Sequence, residues 1–295
     1  MFKTQPLFLI TLGALLVCCC AGIAAAQGNA VQITFGEDED LDPAVSPDGK
    51  KLAFASNRTG DFHIYIVTFG EAGVVQLTQS GKDDRNPAWS ADGKKILFES
   101  KRTGHGDLYE TAADGSSGYL QITDRPDIEA YPVYAPQGDG LLFATAPYKA
   151  IRLRTKLSLV VADNVGSAGN PRVLTDEGEQ PCYTPDGDKV VFVSRRTKNR
   201  DIWMMGAEGG LQTQLTNDQK HDEYPCVSPD GEQVAFASER TGSYDIWVMN
   251  LDGTSPRQLT SSEADETQPA WSIGGQIYFV RENEGKANIF RIPAP

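Results

Sequence analysis

Five carboxylates recur at one spacing. Asp40, Asp84, Glu129, Asp222 and Glu266 each stand three residues before a proline, and the sixth such place holds Gly178, flanked by Glu177 and Glu179. Acidic side chains at equivalent sites can do one of two things. They can ring an opening with negative charge that attracts a basic segment or a cation, or each can pair with a nearby arginine and tie loops together. Immediately before the same prolines come Asp42, Asn86, Tyr131, Gln180, Tyr224 and Gln268. A polar or aromatic side chain repeated at one place suits recognition. Material for bond-breaking chemistry is thin. His63, His105 and His221 are the only histidines and are spread over distant segments, which disfavours joint ligation of a metal. No GxSxG turn is present, and Cys182 and Cys226 lack the spacing of a metal or nucleophile motif.

What positions these residues is a repeat. The prolines fall at 43, 87, 132, 181, 225 and 269, at intervals of 44, 45, 49, 44 and 44 residues. Each unit opens with a short strand and a turn, spelled SPDG at 46–49 and 228–231, SADG at 90–93 and TPDG at 184–187. Proline pre-sets φ, aspartate bonds its own backbone and glycine closes the corner, which predicts a type I turn. An apolar, β-branched run follows, then an Arg-Thr-Gly loop, a third strand such as Asp245–Met249, and a last strand ending Gln-Leu-Thr. Four short strands per roughly 44 residues with no helical period is one propeller blade. The expectation is therefore an all-β, six-bladed propeller of four antiparallel strands per blade. The sixth unit stops at its third strand, Asn288–Ile292, and an orphan Gln32-Ile33-Thr34 precedes the first unit. An open seam would leave unpaired strand edges, so the orphan is expected to pair with 288–292 and close the ring.

The stretches DPAVSPDGKKLAFASNRTGDFHIYIV and YPCVSPDGEQVAFASERTGSYDIWVMNLDGTSPRQLT resemble the repeats of TolB-type propellers, over about residues 32–292. The resemblance is to the propeller part alone, since Gln27 to Gln32 leaves no room for the α/β domain that precedes it in TolB. It implies a propeller module rather than one particular role; partner binding in a TolB-like envelope role is the function expected. The same fold resembles pectin-fragment lyases, so a carbohydrate-active enzyme working in the channel is the alternative.

Antiparallel order puts the acidic loops and the Arg-Thr-Gly loops on one face. The expected partner-binding set there is Asp40, Asp42, Asp84, Glu129, Tyr131, Glu179, Asp222, Tyr224, Glu266 and Gln268, around the mouth of a central channel. The competing reading pairs the acids with Arg58, Arg102, Arg196 and Arg240. Lys149, Arg152 and Arg154, in the long loop of the irregular third unit, add a basic patch beside them. Trp203 and Trp247 share one third-strand position and read as core, as do Trp89 and Trp271 beside the inner strand.

Residues 1–26 carry Lys3, an apolar run and Ala24-Ala25-Ala26, which reads as a secretory signal cleaved near Ala26. No Gly, Ala or Ser immediately precedes Cys18, Cys19 or Cys20, which favours simple cleavage over lipid attachment. With 27 basic and 40 acidic residues the net charge is −13, so nucleic acid and anionic membrane are poor partners. Cys182 and Cys226 are expected to stay reduced and buried, because equivalent residues in neighbouring blades point in the same rotational sense. The sequence thus predicts an exported, monomeric, non-enzymatic propeller, without cofactor or catalytic residue, that binds a protein or peptide at its channel mouth.

Overall fold

The computed structural model describes residues 30–148 and 156–295. The expected leader with Cys18–Cys20, and Lys149, Arg152 and Arg154, fall outside them. Six four-stranded antiparallel sheets form the molecule. The inner strands are Asp40–Val45, Asp84–Trp89, Asp127–Tyr134, Glu179–Tyr183, Asp222–Val227 and Asp265–Trp271. The second strands, such as Lys51–Thr59 and Gln233–Ser238, read as continuous apolar runs because both of their faces are covered. Their central residues Phe54, Phe98, Phe143, Phe192, Phe236 and Phe279 are all fully buried. The core lies between blades rather than inside any one of them. Ile64 and Ile66 of blade 1 pack with Trp89, Ile96 and Phe98 of blade 2, and Leu52 and Phe54 of blade 1 pack with Tyr278 and Val280 of blade 6. That last contact makes the array a ring.

The turn chemistry is as the residues predict. Ser46 Oγ donates to Asp48 Oδ1 at 2.6 Å, that oxygen also accepts the Lys50 N–H at 3.0 Å, and Gly49 takes φ 70°. The same bonds recur at Ser90–Asp92, Thr184–Asp186 and Ser228–Asp230. They hold these aspartates below the usual carboxylate pKa.

The ring closes through the N-terminal strand. Val31 pairs with Arg291 and Gln32 with Phe290, and the Ile33 N–H donates to the Ile289 carbonyl at 2.7 Å. Thr34 Oγ1 accepts the Ile289 N–H at 2.9 Å. Thr78, Thr123, Thr216 and Thr260 do the same for the third strand of their own blades. The orphan tripeptide thus supplies the missing Gln-Leu-Thr of blade 6. No helix among the described residues is long and apolar enough to cross a membrane.

Candidate functional site

The recurrent carboxylates do not form an open rim. Asp84, Glu129, Asp222 and Glu266 are 0% exposed and Asp40 is 2% exposed. In blade 5, Arg240 Nη2 donates to both Asp222 oxygens at 2.9 and 3.0 Å, and its Nε donates to Ser238 Oγ at 2.7 Å. The guanidinium lies 4.6 Å over Trp247 and 5.4 Å over Phe236. Arg58 holds Asp40 and Arg102 holds Asp84 in the same way, at 2.8 and 3.1 Å, and Arg281 holds Glu266 at 2.6 Å. Glu129 accepts the Thr123 hydroxyl at 3.1 Å, and burial pushes its carboxyl up to about 8. Where Gly178 replaces the acid, Arg196 turns to Thr175 Oγ1 and the Glu177 carbonyl. These acids therefore tie loops, and the expected recognition role of Asp40, Asp84, Glu129, Asp222 and Glu266 is corrected. An anion with no water contact needs a fixed cation or donors; the Arg-Thr-Gly loops supply them to Asp40, Asp84 and Asp222, and Arg281 supplies them to Glu266. Trp203 and Trp247 serve as platforms for Arg196 and Arg240.

Glu179 is also buried. It accepts Arg195 Nε at 3.0 Å and Arg200 Nε at 3.1 Å, while Arg200 Nη1 reaches Glu223 at 2.8 Å and Tyr244 Oη donates to Glu223 at 2.8 Å. Arg85 stacks 3.7 Å over Phe62. Neither Arg85, Arg200 nor Glu223 stands out in the sequence; their one signal is position beside the repeated prolines and loops.

The ring of residues before the prolines does come together. Every inner strand loses its register there, as between Leu41 and Ala44 or Glu223 and Cys226. Asp42, Asn86, Tyr131, Gln180, Tyr224 and Gln268 all have φ between 52° and 55°. Such a bulge takes two residues out of the ladder, and left-handed backbone at Tyr131 or Tyr224 costs about 1–3 kcal/mol. The freed groups bond around the ring. The Asp42 N–H donates to Gln268 Oε1 at 2.7 Å and Gln268 Nε2 returns to Asp42 Oδ1 at 3.0 Å. The Asn86 N–H donates to Asp42 Oδ2 at 3.3 Å, and the Tyr224 N–H to Gln180 Oε1 at 2.8 Å. Asn86 Nδ2 reaches Glu99 Oε2 at 2.9 Å. Burial raises the Asp42 pKa and lifts Glu99 to about 7, and it pushes the Tyr224 hydroxyl up to about 12.

This ring borders a central cavity of about 360 Å³. Each blade lines it with the bulge residue, the proline and the small residue after it, and Val45, Pro47, Trp89 and Trp271 complete the wall. Pro47 belongs to the Ser-Pro-Asp-Gly turn, so the cavity runs from the bulges toward the turn face. On the Arg-Thr-Gly face, near the fourth and fifth blades, lies the Glu179–Arg200–Glu223 network. Of the expected set, Asp42, Tyr131, Tyr224 and Gln268 line the cavity, and Glu179 and the five buried acids do not.

Cys182 and Cys226 are free thiols, as expected, but they are half-buried on the cavity wall rather than sealed in the core. Cavity space on one side accounts for that difference. The histidines stay apart in role. His63 pairs with Ser56 where other blades pair Asp107, Asp201 and Asp245 with a serine. His221 Nδ1 accepts the Arg200 N–H at 3.3 Å. Among the described residues no three His, Cys, Asp or Glu side chains gather to hold a metal ion.

Solved structures share this fold. A protein assigned as TolB from Agrobacterium tumefaciens is 25% identical with a TM-score of 0.63, covering 72% of this chain and 74% of its own. TolB from Acinetobacter baumannii is 18% identical with a TM-score of 0.63; 90% of this chain aligns, over 65% of that one. An oligogalacturonate lyase from Vibrio parahaemolyticus is 15% identical with a TM-score of 0.62, over 92% of this chain and 95% of that one. A search of curated proteins found no match. The model of the PD40 family, the TolB beta propeller domain, matches residues 26–176 and 181–295, and the chain belongs to that family.

Proposed function

We propose that the chain is an exported, non-catalytic module that binds a segment of a partner polypeptide in the cavity at the turn face. The observation that carries this reading is the cavity itself. Its volume falls within the roughly 300–1,000 Å³ of ligand-holding pockets. Prolines, Tyr131, Tyr224, Trp89 and Trp271 give it apolar walls, while Asp42, Asn86, Gln180 and Gln268 give it one polar belt. Apolar walls accept side chains, and a belt of carboxylate and amide groups can meet the N–H and C=O groups of an extended chain. The relation to TolB supports the same reading and an envelope location, with the leader for export.

The test is affinity capture from envelope extract, comparing the protein with its Tyr131→Ala/Tyr224→Ala variant. Loss of central aromatic anchors costs about 2 kcal/mol or more, roughly 30-fold in Kd. Capture that survives unchanged would remove the cavity from the account. The second reading, a lyase in the channel, is favoured by the likeness to oligogalacturonate lyase. Turnover of unsaturated-product-forming oligogalacturonate by the pure protein would establish it in place of the binding role.

A further inference from the structure

Cys182 and Cys226 hold one place in consecutive blades, directly after the proline, where the other blades carry Ala44, Ala88, Val133 and Ala270. Both border the central cavity and both are free. Cys182 Sγ lies against the second cysteine, beside the peptide that follows Cys226. Each sulfur also accepts a backbone N–H from the next blade. The Val227 N–H reaches Cys182 Sγ at 3.4 Å, and the Trp271 N–H reaches Cys226 Sγ at 3.3 Å. An N–H aimed at sulfur favours thiolate over thiol, and such outer donors are the usual surroundings of a metal-held thiolate; without a metal, the neighbouring sulfur and burial push the Cys226 thiol up, so Cys182 gives up its proton first.

We propose that Cys182 and Cys226 together bind one soft monovalent d10 cation of the copper(I) class, as a two-coordinate dithiolate on the channel wall. Thiolate pairs select such ions over harder ones. Two ligands suffice for an ion of this kind, whereas zinc in a structural site takes four. Loading transfers no electrons. Two S–H bonds break, two metal–sulfur bonds form, and two protons leave to solvent, so affinity rises with pH. The same rotational sense that turns each sulfur toward the next blade's backbone works against a direct disulfide. This site stands independently of any partner segment.

The probe is silver ion, which is soft, monovalent and redox-inert here. The whole chain carrying C18S, C19S and C20S is used, so that residues 182 and 226 are its sole thiols. Titration should reach one silver per chain, release two protons, and protect both thiols from alkylation. C182A and C226A install the residue that other blades carry at this place, so the fold should survive. Each should weaken binding by more than the roughly 100-fold that loss of an outer-shell partner costs. Unchanged affinity in either variant would overturn the proposal. So would two silver ions per chain, or an unreduced protein in which neither thiol can be alkylated.

Discussion

Asp222 makes no contact with water, and Arg240 with Ser238 and Trp247 surrounds its charge. Removing one member of a buried pair strands the other, at about 3–5 kcal/mol. Arg240 keeps its stack on Trp247 and is partly exposed, so D222A should cost about 3 kcal/mol, read as a lower midpoint in urea melts. D84A should behave alike, and converting Asp84, Glu129 and Glu266 to lysine together should prevent folding rather than merely weaken capture. Two acids, the half-buried Glu99 and the buried Glu129, set a pH dependence. Glu99 is lifted to about 7 and Glu129 to about 8, chiefly by burial. A carboxyl whose folded pKa is raised binds more protons in the folded state. Its contribution is fully present below the unfolded value near 4.5 and is lost as pH rises through 7 to 8. The melting temperature should therefore fall between pH 5 and pH 8, and E99Q/E129Q should flatten that slope. Melts that rise over this range, or a slope that the double variant leaves unaltered, would contradict the assignment.

Among the elements, the closing strand is the most exposed to test. Thr34 Oγ1 is the only one of five equivalent threonine acceptors that comes from the far end of the chain. T34V keeps the shape and leaves the Ile289 N–H unsatisfied, at about 1–3 kcal/mol. T78V within blade 1 should cost a similar amount, which a pair of thermal melts can compare. A chain beginning at Gly36 loses the strand altogether and should aggregate or melt far below the full-length protein. These elements are legible in the sequence because the blade's turn and cap chemistry is local. Ser-Pro-Asp-Gly, Arg-Thr-Gly and Gln-Leu-Thr each name their own backbone, and a missing copy at one end with an orphan at the other declares the closure. The bulges are not legible. Asp42, Asn86, Tyr131, Gln180, Tyr224 and Gln268 share φ but no side-chain type, so nothing in composition marks the residues that leave the ladder. The pairing of Asp84 with Arg102 is one of the two readings the sequence allows, and only placing the arginine loop over it decides between them. The Arg281 partner of Glu266 carries no such motif.

At the scale of the whole molecule, six equivalent wedges bury their apolar faces against one another and leave an axis that no single blade can fill. Each blade brings a bulge residue, a proline and a small residue to that axis. The result is a cavity whose walls differ around the ring, with tyrosines from blades 3 and 5, tryptophans from blades 2 and 6, and the two thiols from blades 4 and 5. On the proposed reading, that asymmetry would give a partner segment a preferred orientation. The central claim is that partner contact is made there. It is tested most directly by placing a photo-crosslinking residue, one at a time, at positions 224 and 271 in the cavity and at the exposed outer positions 75 and 211. After irradiation in envelope extract, adducts to a single partner should form from 224 and 271 and be absent from 75 and 211. Adducts from the outer positions alone, with the cavity positions silent, would contradict the account.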